Sequence, residues 1–187
     1  MKLTKILLFL FLFQIHDAHL DAYLDYKSPF HPTISENGMV VSQNLESSEI
    51  GTMILESGGN AVDAAVAVGF SLTTTLPRAG NIGGGGFMLI YIKETEELFS
   101  IDYRSRSSLN SNLKDLFGTK SPAQIQDDDY DLTKYDYKAS AVPGTVYGLL
   151  EAHERFGDLP LEKVLQPVID QARNGIIVSY DLHNAIG

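Results

Sequence analysis

The chain has 187 residues, 44% hydrophobic and 20% charged, with fourteen Lys and Arg against twenty-four Asp and Glu and a formal net charge of −10. That composition suits a globular protein with a core and excludes a disordered one, and the acidic balance without any Lys/Arg cluster argues against nucleic acid as a partner. Cysteine is absent, which excludes disulfides and a cysteine-linked lipid anchor and neither supports nor opposes export.

In chain order, Lys2 and Lys5 precede the apolar run Ile6 to Phe13. It is too short to cross a bilayer as a helix and has the length of a signal-peptide core. Residues 1–22 are read as a signal peptide or an uncleaved signal anchor, with Ala18 and Ala22 as candidate cleavage positions. Residues 23–36 carry Pro29 and Pro32 with little periodicity and read as a spacer, so the folded part spans 37–187. Gly38 to Ser42 has the make-up of a short strand. Ser47 is placed to cap a helix whose Ile50, Met53 and Ile54 fall at helical spacing, stopped by Gly58. Asn60 is the expected cap of a second helix reaching about Thr75, rich in alanine, almost uncharged and therefore buried on most sides, with Pro77 just beyond it.

Phe87 to Ile92 reads as a strand buried on both faces, joined by the polar Lys93 to Glu97 to a second strand, Leu98 to Tyr103, in a hairpin. Residues 105–138 are polar and irregular, with one short helix near Leu113, and the acidic run Asp127 to Asp131 lacks the ligand spacing of a calcium loop and reads as a solvated loop. A helix is expected from Pro143 to Gly157, and another from Leu161 to Asn174 with a kink or restart at Pro167 and a stop at Gly175. A last helix, capped by Ser179, has only begun when the sequence stops at Gly187. With few strands available for a sheet, the sequence is expected to be part of a longer reading frame.

The chemistry-bearing residues are dispersed. Gly83 to Gly86 lead into a strand rather than from a strand into a helix, and no Gly-Lys-Ser/Thr ending follows, which opposes a phosphate cradle. They serve close backbone packing or form the floor of a substrate site. Thr73, Thr74 and Thr75 end a buried helix, where such hydroxyls bond back to backbone, and Ser107 and Ser108 lie in a polar loop with no base nearby in sequence. His16, His19, His31, His153 and His183 show no metal-ligand spacing, and His153 is expected on a helix surface. Arg104, at the end of an apolar strand, either captures a substrate carboxylate through its planar fork or forms a salt bridge with Asp102 or another acid.

Gly38-Met39-Val40-Val41-Ser42, Gly58 to Ala65, Pro77 with Ala79 to Met88, Asp102-Tyr103-Arg104, Val142 to Thr145 with Gly148-Leu149, and Phe156 to Leu161 followed by Pro167 and Asn174-Gly175 stand in one order. From about Asn37 onward the chain resembles the N-terminal part of the γ-glutamyltransferase (glutathione hydrolase) large subunit. The resemblance implies an α/β (α+β) fold, an incomplete αββα sandwich of the N-terminal-nucleophile hydrolases, in an exported precursor that cleaves itself into two subunits. It implies a threonine at the start of the small subunit as nucleophile, with its own α-amine as base. It further implies glutathione or another γ-glutamyl compound as donor, amino acids, peptides or water as acceptor, no metal or organic cofactor, and a periplasmic or extracellular location.

Carried over residue by residue, Arg104 is the arginine that holds the donor's α-carboxylate, and Gly83 to Gly86 form a structural loop. A glutamate commonly follows that arginine in the family, whereas Ser105 and then Arg106 follow it here. The small subunit, with the nucleophile, lies outside this sequence, so the chain alone is expected to be inert, and Phe87, Leu89 and Tyr91 are expected to lie exposed and to limit solubility. The alternatives are a non-catalytic exported carboxylate-binding protein and an acylase of the same superfamily.

Overall fold

The computed structural model describes residues 33–126 and 137–186; residues 1–22, read above as a signal peptide or anchor, and the acidic run Asp127 to Asp131 lie outside them. The chain divides at Gly38 into two units. The described part of the first, residues 33–38, holds no helix or strand and is turned by the Ser35 hydroxyl, which donates to the Gly38 carbonyl.

The second unit opens with α1, Leu45–Glu56. Gly38 to Ser42 does not form the expected strand, because the Ser42 amide donates to the Ser48 hydroxyl at 3.0 Å rather than to a neighbouring strand. Val40 nevertheless packs onto the core. The cap of α1 is Asn44, not Ser47: the Asn44 side chain accepts from the Ser47 amide at 3.1 Å. Ser47 instead lies inside the first turn, fully buried, where its hydroxyl meets those of Ser71 at 2.7 Å and Thr75 at 2.9 Å. Helix α2, Ala61–Thr75, begins as expected at Asn60, whose side chain accepts from the amides of Val62 and Asp63. Its lack of charge makes it the central helix, with Val66 and Ala67 fully buried. It packs against α1, against α4 (Thr145–Phe156) and against α5 (Leu161–Asn174).

Strands β1 (Phe87–Ile92) and β2 (Glu97–Asp102) form an antiparallel hairpin in which Phe87 faces Asp102 and Ile92 faces Glu97. The strand expected to be buried on both faces is buried on one. Ile90 of β1 and Ile101 of β2, which pair across the hairpin with Phe99 and Met88 respectively, join the core, whereas Phe87, Leu89 and Tyr91 are 65%, 73% and 60% exposed. The alternation is the two-residue period of a pleated strand, with one face against the helices and the other open. Phe99 of β2 stacks at 4.9 Å on Phe156 of α4, and this contact seats the hairpin on the helical layer.

The short α3, Leu113–Phe117, lies where the sequence places it. Helix α4 starts at Thr145, two residues after Pro143, with Gly144 as its N-cap and the Gly144 and Thr145 amides bonded to the Gly84 carbonyl. Helix α5 runs through Pro167 unbroken and ends at Gly175, whose φ of 85° is the left-handed backbone that glycine adopts freely. Helix α6, Tyr180–Ile186, opens with the Ser179 hydroxyl accepting from the Leu182 amide at 3.1 Å.

Candidate functional site

The end of β2, the glycine loop and the start of α4 meet around Tyr103. Tyr103 extends the hairpin by exchanging two hydrogen bonds with Gly86, at 3.1 and 3.3 Å, and Arg106 pairs in the same manner with Val142, at 3.2 and 2.7 Å. Between these anchors the Gly84 carbonyl accepts from the amides of Gly144 (2.8 Å) and Thr145 (3.2 Å), which satisfies two of the amide groups that a helix start leaves unpaired. The Thr145 hydroxyl donates back to the Asn81 carbonyl at 3.2 Å. A Cβ at Gly144 would overlap the Tyr103 carbonyl, and one at Gly148 would lie within the Tyr103 ring. Both glycines are therefore required by the close approach of α4 to β2. In the glycine loop the backbone groups of Gly84 and Gly86 serve packing. Burial against this joint pushes the Tyr103 hydroxyl above the ordinary tyrosine pKa.

Arg104 projects from this joint and is exposed. Its backbone amide donates to Asp102 Oδ1 at 3.0 Å, while Asp102 Oδ2 lies 3.8 Å from Arg106 Nη2. The acid beside Arg104 thus orients its backbone and pairs with a different arginine. Among the described residues the Arg104 guanidinium has no ion-pair or hydrogen-bond partner. An exposed planar fork on a backbone pinned at both ends suits two-point contact with a carboxylate.

Three of the five hydroxyls considered as nucleophiles, those of Thr73, Thr75 and Ser108, are engaged elsewhere. Thr73 donates to the Phe70 carbonyl at 2.7 Å, Thr75 bonds to Ser71 and Ser47, and Ser108 accepts from the Asn110 amide at 3.3 Å. Among the described residues, no three His, Asp or Glu side chains converge as a metal site would require.

A second joint was not apparent from sequence. Asp63, fully buried at the start of α2, accepts from the amides of Asn60 (3.0 Å), Asp158 (3.1 Å) and Leu159 (3.2 Å). His153 is not on the helix surface: its Nε2 lies 2.8 Å from the Leu159 carbonyl and 3.6 Å from Asp63 Oδ1, in a mostly buried position. The Asn60-x-x-Asp63 spacing was the available signal, since it is a reciprocal helix cap. Its second use, binding the loop after α4, depends on residues remote in sequence.

With this geometry in view, the comparisons with known proteins agree. The family model described as Gamma-glutamyltranspeptidase matches residues 47–187. The glutathione hydrolase proenzyme of Escherichia coli (strain K12) is 43% identical over 150 residues, which cover 80% of this chain and 25% of that protein. An acylase ACY 1 proenzyme of Pseudomonas sp. (strain V22) is 35% identical over 167 residues, 87% of this chain and 29% of that protein. The crystal structure of Helicobacter pylori gamma-glutamyltranspeptidase superposes with a TM-score of 0.71 at 33% identity, covering 83% of this chain and 43% of that one. The chain spans about a quarter of the length of the curated relatives it matches. Its helical layer and two-stranded sheet are part of the αββα sandwich of the N-terminal-nucleophile hydrolases. On the extent of the match and the shared fold, the chain belongs to the gamma-glutamyltranspeptidase family.

Proposed function

We propose that this chain supplies the donor-binding part of an exported γ-glutamyltransferase that hydrolyses glutathione and related γ-glutamyl compounds or transfers their γ-glutamyl group. The observation that carries this reading is the free, rigidly mounted Arg104 guanidinium, which holds the donor's α-carboxylate. The donor's γ-carbonyl is thereby presented to a threonine of the remainder of the precursor. That threonine's oxygen forms an ester with the γ-carbonyl carbon as the amine leaves, its α-amine moves the proton, and water or an acceptor amine then breaks the ester. The exposed face of Phe87, Leu89 and Tyr91 is the surface on which the second sheet of the sandwich packs. Residues 1–22 direct export to the periplasm or beyond, and residues 23–36 link them to the folded part.

The test is cleavage of γ-glutamyl-p-nitroanilide by this chain joined to its downstream continuation, beside the chain alone. Activity is expected only in the longer protein, and Arg104→Ala is expected to raise KM by about tenfold or more, as loss of a charged hydrogen bond worth about 1.5–3 kcal/mol requires. Activity in the chain alone would place a nucleophile within these residues and overturn the mechanism. An acylase reading draws on Ser105 and the acylase relative; faster cleavage of glutaryl amides than of γ-glutamyl anilides would establish it instead.

A further inference from the structure

We propose that Arg106 is a specificity-determining residue, one that reads a second carboxylate on a donor whose first carboxylate sits on Arg104. The proposal rests on the donor-binding role of Arg104. From Asp102 to Arg106 exposure alternates: Tyr103 and Ser105 are turned towards the protein, and Asp102, Arg104 and Arg106 towards solvent. The backbone is anchored on both sides of Arg104, by Tyr103 against Gly86 and by Arg106 against Val142. Two residues of extended chain set the Arg104 and Arg106 backbones about 6–7 Å apart on one side.

One carboxylate holds the backbone of Arg104 and the side chain of Arg106. Asp102 Oδ1 accepts from the Arg104 amide at 3.0 Å and Oδ2 lies 3.8 Å from Arg106 Nη2, with the two side chains 58% and 75% exposed. A long, solvated pair of this kind holds its arginine weakly. Asp102 therefore keeps Arg106 close to Arg104 and yields it to a ligand carboxylate. Ser105 adds no charge between them, so two arginines share one side of the chain and, among the described residues, Asp102 pairs with the guanidinium of Arg106 alone. A ligand that matches this spot carries two carboxylates a few bonds apart. Among γ-glutamyl donors that describes peptides with a free C-terminal carboxylate, in preference to γ-glutamyl amides of neutral amines.

Reduced glutathione and its glycine monoethyl ester differ in that one carboxylate and are the probes. The full chain is titrated with each, following the backbone amide resonances of Arg104 and Arg106. Glutathione is expected to bind about two- to fivefold more tightly than the ester, the range that a partly exposed ion pair supplies. Arg106→Gln is expected to bring that ratio to about one with ester affinity and circular dichroism unchanged, while Arg104→Ala weakens both ligands. Equal binding of the two ligands to the parent chain, or a ratio that survives Arg106→Gln, overturns the role of Arg106 and leaves that of Arg104 standing. Absence of binding, or binding of both ligands that Arg104→Ala does not alter, overturns the donor-binding reading and this proposal with it.

Discussion

The helical layer and the hairpin differ in how completely they satisfy themselves. Helices α1, α2, α4 and α5 enclose their polar groups: Ser47, Ser71 and Thr75 bond to one another, Ser71 also donates to Gln171 at 2.8 Å, and Asp63 collects three backbone amides. Among the described residues no buried side-chain nitrogen or oxygen lacks a partner. The hairpin packs one face on that layer and leaves Phe87, Leu89, Tyr91 and Leu98 open. Stability is therefore concentrated in the helices and their joints. The open strand face and the Arg104 side chain are exposed.

Four measurements break or sharpen that contrast. The largest effect is expected at Asp63. Asp63→Ala removes a fully buried carboxylate and leaves the amides of Asn60, Asp158 and Leu159 without their acceptor, and a loss of about 1–3 kcal/mol is expected in urea unfolding of the chain; a loss below about 0.5 kcal/mol would show that the helical layer does not depend on this joint. Next, Gly148→Ala drives a methyl into the Tyr103 ring and is expected to cost about 1–3 kcal/mol, with the joint between hairpin and α4 loosened first. Hydrogen exchange that accelerates in α1 before β2 would contradict this.

The third concerns pH. Burial raises the Tyr103 pKa in the folded chain above its unfolded value of 10.0. The unfolded chain thus releases this proton first, so the contribution is complete below about pH 10 and is lost as pH rises through the folded value. Tyr103→Phe is expected to flatten the alkaline fall in stability, and an unchanged profile would place the loss elsewhere. The smallest effect is expected on the open face. Leu89→Ser with Tyr91→Ser should shift the chain's own stability by about 0.5 kcal/mol or less while increasing its solubility. A loss of several kcal/mol would mean that this face is already part of the core.

The elements whose signals lie within a few residues were legible. Asn60 begins α2, Gly175 ends α5, Ser179 opens α6, and the polar Lys93 to Glu97 turns the hairpin, because caps and turns are satisfied by neighbouring backbone. The ordered motifs from Gly38 to Gly175 also identified the family before any coordinates. Where a local signal competed with a distant partner, the sequence misled: Ser47 resembles a cap but bonds across to α2, and Pro143 resembles a helix start but Val142 is paired with Arg106, and the helix begins two residues later with Gly144 as its N-cap.

By itself, then, the sequence determined the helices, the hairpin, the family and the candidate status of Arg104. The tertiary structure alone decided that Ile90 and Ile101 are the hairpin residues packed in the core, that Asp102 pairs with Arg106 and, among the described residues, not with the Arg104 side chain, that the glycines seat α4 against Tyr103, and that Asp63 and His153 close a buried joint. The physical reason is range. Helix caps and strand periodicity are governed by groups a few residues apart, whereas burial of a face and the partner of a charge depend on which remote segments the folded chain brings within about 4 Å.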